Sequence, residues 1–139
     1  MTFTLGNKQY PVEITFQEAY GPLKKDCDFN IFNMFAEDDL LPRKLLLDEE
    51  YVLNLMWYFV KKEETIQTKE VMISKITSMD TVDEFREALW EGVVNFSSAL
   101  KRPMLLDAWK VMKKELRATR IGSHIAGQFP SLSDLEEST

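Results

Sequence analysis

Residues 81–100 read TVDEFREALWEGVVNFSSAL, and after Lys101-Arg102-Pro103 the chain continues MLLDAWKVMKKELRATR over 104–120. This stretch decides the fold class. Val82, Phe85, Leu89, Val93, Phe96 and Leu100 recur at helical spacing and form one apolar stripe, which Trp90 and Val94 widen. Thr81 with Glu84 has the form of a capping box. Gly92 falls in mid-helix, where glycine costs ~1 kcal/mol relative to alanine; close approach of another backbone is the simplest reason for it. After Pro103 a second stripe follows, Leu105, Trp109, Met112 and Leu116, with Ala108 beside it. The short connection predicts two antiparallel neighbouring helices.

Working outward, Asp48 reads as an N-cap to a helix over 49–62, with Glu49 and Glu50 in the favoured first turn and Lys61-Lys62 at the favoured end. Its apolar residues, Val52, Leu53, Leu55, Met56, Trp57, Phe59 and Val60, run nearly all round. Such a helix is either central or sealed on one face by another subunit. Residues 65–79 suit a helix better than a strand, with Thr68 as its cap. At the N-terminus, Phe3 and Leu5, then Gly6-Asn7, then Tyr10, Val12 and Ile14 give period-two spacing about a turn, which predicts a β-hairpin with Pro11 on an edge. A lone hairpin is marginal in water, so its apolar face must lie on the helices. Thr15 and Glu18 fit a capping box that Gly21-Pro22 soon ends. Asp28 is placed to cap a short helix carrying Phe29, Ile31, Phe32, Met34 and Phe35, closed by Glu37-Asp38-Asp39 and Pro42. Three phenylalanines so close together read first as core, and otherwise as an exposed aromatic docking patch. From Ile121 the pattern ends, and residues 121–139 read as a flexible acidic tail. The expectation is a mainly α protein: a compact helical domain over 1–120 with a short N-terminal β-hairpin, and a flexible tail over 121–139.

A chain of 139 residues is long enough to bury one core without metal or disulfide staples. Its net charge of −6 disfavours generic nucleic-acid binding, which needs a positive surface. Yet the charge is uneven: Lys110, Lys113, Lys114, Arg117 and Arg120 gather on the last helix, with Arg102 just before it. A solvated face accounts for such a run; a rim for a charged partner is the functional alternative. The longest apolar stretch, Leu53–Val60, falls short of the ~20 residues that span a bilayer, and no signal pattern opens the chain. A cytoplasmic, membrane-free protein is expected.

Chemistry is sparse. His124 is the single histidine, and Cys27, the single cysteine, sits between Asp26 and Asp28, which raise a thiol pKa rather than activate it. The acidic groups 37–39 and 48–50 flank a proline-containing loop but lack the register of a calcium loop. Glu87 and Glu91 share a helix face, as solvated carboxylates commonly do. The scattered glycines build no phosphate loop. No catalytic, cofactor or metal residues are assigned. Met56, Met72, Met79, Met104 and Met112 serve as core filler or as the adaptable surface of a protein that holds other chains.

The hairpin FTLGNKQYPVEIT, the acid-capped helix LLLDEEYVLNLMWYFV and the stretch TVDEFREALWEGVVNF with the amphipathic helix after it together resemble the tail assembly chaperones of long-tailed bacteriophages, over roughly residues 2–120. The resemblance implies a non-catalytic chaperone that binds the tape measure protein and helps the tail tube protein polymerise around it. Such a protein works in the host cytoplasm, is absent from the mature virion, and is often accompanied by a frameshifted longer form. A small helical adaptor or head–tail connector is the competing reading, and an enzyme the third. Lys110, Lys113, Lys114 and Arg117 are the candidate partner-binding rim. A homo-oligomer is expected, with Trp57 and Gly92 as its candidate contacts.

Overall fold

The computed structural model describes residues 1–36 and 39–128. The fold is mainly α with an N-terminal antiparallel hairpin, as expected. Backbone contacts divide it into one unit over Met1–Pro103 and a second from Met104 onward.

The first unit begins with β1 (Thr2–Leu5) and β2 (Lys8–Pro11), paired in the register Phe3↔Tyr10 and Leu5↔Lys8. That leaves Gly6-Asn7 as a two-residue turn. Gly6 takes φ +63° and Asn7 does not share the positive φ, the pattern of a type II′ turn with glycine in first place. Phe3, Leu5, Tyr10 and Val12 are buried, so the alternation read from sequence faces the core. Phe3 stacks on Tyr10 at 5.6 Å and meets Phe85 edge-on at 5.0 Å; Phe85 in turn lies 6.0 Å from Phe59. These rings tie the hairpin to two helices, α4 (Glu49–Lys61) and α6 (Met79–Phe96).

Between them run α1 (Phe16–Tyr20), α2 (Pro22–Asp26), a 3₁₀ turn (Ile31–Asn33), a two-residue ladder of β3 (Phe35–Ala36) with β4 (Asp39–Leu40), α3 (Leu41–Leu47) and, after α4, α5 (Lys69–Ser74). Thr15 and Glu18 form the expected capping box. Asp48 Oδ1 accepts from Tyr51 N at 3.0 Å and Thr68 Oγ1 from Val71 N at 3.1 Å, so both expected caps are present.

Residues 28–47 depart from expectation. Asp28 adopts φ +54° and caps nothing; its carbonyl instead accepts from the Tyr51 hydroxyl at 2.8 Å. Asn30 caps the single 3₁₀ turn through Phe32 N at 3.1 Å. Pro42 does not close a helix but opens α3, where its missing N–H costs nothing. The expected proline loop is therefore helical, and Glu37 and Asp38 lie outside the described residues. The capping box expected at Thr81 is also replaced. α6 is capped three residues earlier, by Ser78, whose Oγ accepts from Asp80 N at 3.2 Å. Glu84 instead accepts the Thr4 N–H of β1.

α4 is central to the first unit, in contact with α3, α5, α6 and β2. Tyr51, Val52, Leu55, Met56, Phe59 and Val60 are buried, while Leu53, Trp57 and Tyr58 are half-buried. On α6, Val82, Phe85, Leu89, Trp90, Val93 and Val94 are buried. Phe96 is half-buried and Leu100 lies past the helix, 91% exposed. Gly92 has its close neighbour: a Cβ there would stand 3.3 Å from the Val12 carbonyl oxygen and 3.5 Å from Ile14 Cδ1. The approaching backbone is the chain's own.

Arg86 is the one charged residue among the buried ones described, 4% exposed. Its Nε donates to the Leu45 carbonyl at 2.7 Å, closing the C-terminus of α3. Nη1 donates to Asp83, and Nη2 makes no hydrogen bond but lies 3.4 Å from Glu49 Oε1 as an ion pair. Arg102 does the same office for α6: Nε donates to the carbonyls of Val94 and Ser97 at 3.2 and 3.1 Å, and Nη2 to Asn95 at 3.3 Å.

The last helix, α7, runs Arg102–Gln128, with Pro103 inside its first turn. Helical backbone thus continues through 121–128, where the flexible tail was expected; residues 129–139 lie outside the described residues. Over residues 104–117, Leu105 and Trp109 are buried and Ala108, Met112, Lys113 and Leu116 are half-buried, which includes the stripe read from sequence. Among the described residues, no helix is long and apolar enough to cross a membrane.

Substitutions at three residues test this construction. Arg86→Ala strips the Leu45 carbonyl of its buried donor and should lower unfolding free energy by about 2–4 kcal/mol. Asp83→Ala, at a residue open to solvent, should cost less than about 1 kcal/mol. At Gly92, alanine gains helix propensity of ~1 kcal/mol but crowds the Val12 carbonyl, so the two effects offset. Gly92→Val has no such offset and should cost about 2 kcal/mol or more. Urea denaturation of each variant measures these differences.

Candidate functional site

α1 is only five residues long and buries only Ala19. Its Phe16 and Tyr20, one turn apart, therefore point away from the core, 70% and 63% exposed. Two further rings meet them. Phe32, on the 3₁₀ turn, is 48% exposed, and Phe96 is half-buried at the end of α6. Ring centroids lie 4.8 Å apart for Phe16–Phe96, 5.9 Å for Phe16–Phe32, 5.9 Å for Phe32–Phe96 and 6.0 Å for Tyr20–Phe32. Beyond Tyr20, the Lys24 ammonium sits 4.7 Å from its ring centre. Aromatic side chains bury roughly 150–250 Å² each when covered, so these exposures leave on the order of 350 Å² of ring surface open. Contiguous apolar patches of that size are often functional.

The sequence reading weighed core against an exposed aromatic patch for Phe29, Phe32 and Phe35. Phe29 is core and fully buried, while Phe32 and Phe35 are exposed. Phe16, Tyr20 and Phe96 were missed as members of the patch. The signal available was the i, i+4 pair on a helix too short to bury both faces, and the end of α6 leaving the last ring of its stripe uncovered.

Also on α1, Glu18 Oε2 accepts from the Tyr58 hydroxyl at 2.9 Å and from the Lys62 ammonium. Burial works against the charged carboxylate, but the hydrogen bonds from Lys62 and Tyr58, the Lys62 charge and the Thr15 N–H outweigh it and hold Glu18 below the usual carboxylate range. Burial first, then the hydrogen bond and charge of Glu18, push the Tyr58 phenol well above its ordinary value; Cys27 and Asp26 add to this. Burial and then Asp26 raise the Cys27 thiol, which Lys61 only partly opposes. Cys27 thus ionises less readily than a free thiol, with Asp26 the neighbouring aspartate that contributes.

Among the described residues, no group of three His, Cys, Asp or Glu side chains is placed to hold a metal ion. Glu87 and Glu91 are both exposed. Trp57, a candidate self-association residue, borders an open cleft with Lys61, Lys62, Glu64, Ile66 and Gln67. Gly92, the other, is buried against Val12 of its own chain and so is withdrawn from any contact with a second copy. On α7, Lys110, Lys113, Lys114 and Arg117 share one face by their i, i+3, i+4, i+7 spacing. Lys113 Nζ lies 5.8 Å from the Trp109 ring centre. Arg102 is engaged in closing α6.

Comparison of the chain with protein-family models, with curated proteins and with solved structures gave no match.

The Glu18–Tyr58 pair predicts the pH response of the scaffold. Glu18 has a depressed folded pKa, so its contribution is present above the unfolded value of about 4.3 and is lost as pH falls through the folded one. Tyr58 has a raised folded pKa, so stability falls as pH rises above the unfolded phenol value of about 10. Tyr58→Phe should flatten the alkaline limb of a melting-temperature profile and, by removing one donor to Glu18, weaken the protection on the acid side.

Proposed function

We propose that this protein is a non-catalytic tail assembly chaperone of a long-tailed bacteriophage, which holds the tape measure protein while the tail tube protein assembles around it. On this reading it acts in the host cytoplasm and is left out of the mature virion. The observation that carries the reading is the exposed cluster of Phe16, Tyr20, Phe32 and Phe96. Rings that are left open at the surface of an acidic, water-facing chain have no role in its own core, and covering them is what a bound partner would do. The likeness of the hairpin, the acid-capped helix and the 81–120 stretch to such chaperones supplies the identity of the partner.

The basic face of α7 gives the reading an electrostatic component. Rim charges set association rate and specificity more than affinity. A helical adaptor or head–tail connector would use the same apolar surface, so the partner decides between them.

Co-expression with the tape measure protein of the same genome tests the proposal. The expected result is a soluble complex that survives gel filtration, and a tape measure protein that precipitates when expressed alone. Equal solubility with and without this chain, and no complex, would sink the chaperone reading. Changing Lys110, Lys113, Lys114 and Arg117 to Glu should slow capture at low salt by about tenfold or more while leaving helix content intact. Unchanged association rates would remove the α7 face from the interface.

A further inference from the structure

We infer that the ring row Phe96–Phe32–Tyr20, with Phe16 bridging its first two members and Lys24 beside Tyr20, is the docking face for a single amphipathic helix. The helix carries apolar side chains at i, i+4 and i+7 and a carboxylate about one turn beyond them. This rests on the reading that the chain holds a helical partner, and adds the surface and the chemistry it recognises.

The spacing carries the inference. Successive ring centres along the row step by 5.9 and 6.0 Å. A helix rises ~5.4 Å per turn, so apolar side chains one turn apart meet successive rings in register. Tyr20 reaches the cluster through Phe32, which extends the patch into a row rather than a compact disc. Phe16, the most open of the rings, stands beside Phe32 and Phe96 and gives the row a wall. Beside Tyr20 stands the Lys24 ammonium, 4.7 Å from its ring centre, where a carboxylate on the partner completes the contact.

Area favours a helix over a second copy. Two copies meeting through these rings would bury on the order of 700 Å² of ring surface, short of the ~1,200–2,000 Å² of stable interfaces. Both would also bring a net charge of −6 to the contact. A single helix laid along the row is held weakly and released readily, which suits transient holding.

The test uses the full chain, labelled with ¹⁵N, and a synthetic helical peptide of about 18 residues. The peptide has leucine at i, i+4 and i+7 and two glutamates on the following turn; a control has the same composition with the leucines spread round the helix. The expected result is amide shifts centred on Phe16, Tyr20, Phe32 and Phe96, binding about tenfold or more weaker in a Phe16→Ser, Phe32→Ser double variant, and a smaller loss in Lys24→Glu. Circular dichroism checks folding; should the double variant unfold, Phe16→Ser and Tyr20→Ser, both at largely exposed positions, are read singly. The inference is overturned if the control peptide binds equally, if the shifts map elsewhere, if no binding occurs, or if the ring variants bind like wild type. Pull-down of the tape measure protein separates the two claims. A wild-type complex that the ring variants retain defeats this surface and spares the chaperone reading. Peptide binding on the rings without a tape measure complex defeats the chaperone reading and spares this surface.

Discussion

The approach of the Val12 carbonyl to Gly92 sets the position of the exposed ring cluster. Without a side chain at Gly92, the chain leaving the hairpin lies directly on α6. One turn beyond Gly92 comes Phe96, and the same distance along the chain from Val12 comes Phe16, the pair of rings in closest contact at the surface. The Thr15–Glu18 cap then fixes the start of α1 and the direction of Phe16 and Tyr20. A wider gap at Gly92 would carry α1 away from the end of α6 and open the row of rings.

A second constraint is how helix ends are closed in a chain with more acids than cations. Two arginines do this at a distance along the sequence, Arg86 for α3 and Arg102 for α6. Both reach backbone carbonyls through a planar fork of donors, which a lysine cannot present. Arg86 also binds together the turn from α3 into α4 and the first half of α6, through Leu45, Glu49 and Asp83. Its burial is tolerated because both carboxylates reach solvent, so the charge is neutralised without a fully enclosed ion pair.

The hairpin, α4, α6 and the stripe along α7 were legible because burial repeats at the period of the element that produces it. Residues 28–47 were not, since their structure turns on two local facts invisible to periodicity. Asp28 is held in a left-handed conformation by a tertiary bond to its carbonyl, and Pro42 can end one helix or begin the next. The false capping box at Thr81 has the same origin: Glu84 had a better donor in Thr4, a residue far away in sequence. The site was only half visible. Phe29 and Phe32 look alike in sequence, and only the path of the chain decides that one fills the core and the other faces water. The basic face of α7 was readable because spacing alone puts four cations on one side of a helix.

The ring cluster draws on residues 16, 20, 32 and 96, so it is a property of the assembled first unit and of no shorter segment. A chain emerging from the ribosome cannot display it until α6 is complete. A partner that binds the rings would bind only the native state, and would shift the folding equilibrium toward it by mass action. On the proposed reading, the protein would thereby discriminate against its own unfinished copies.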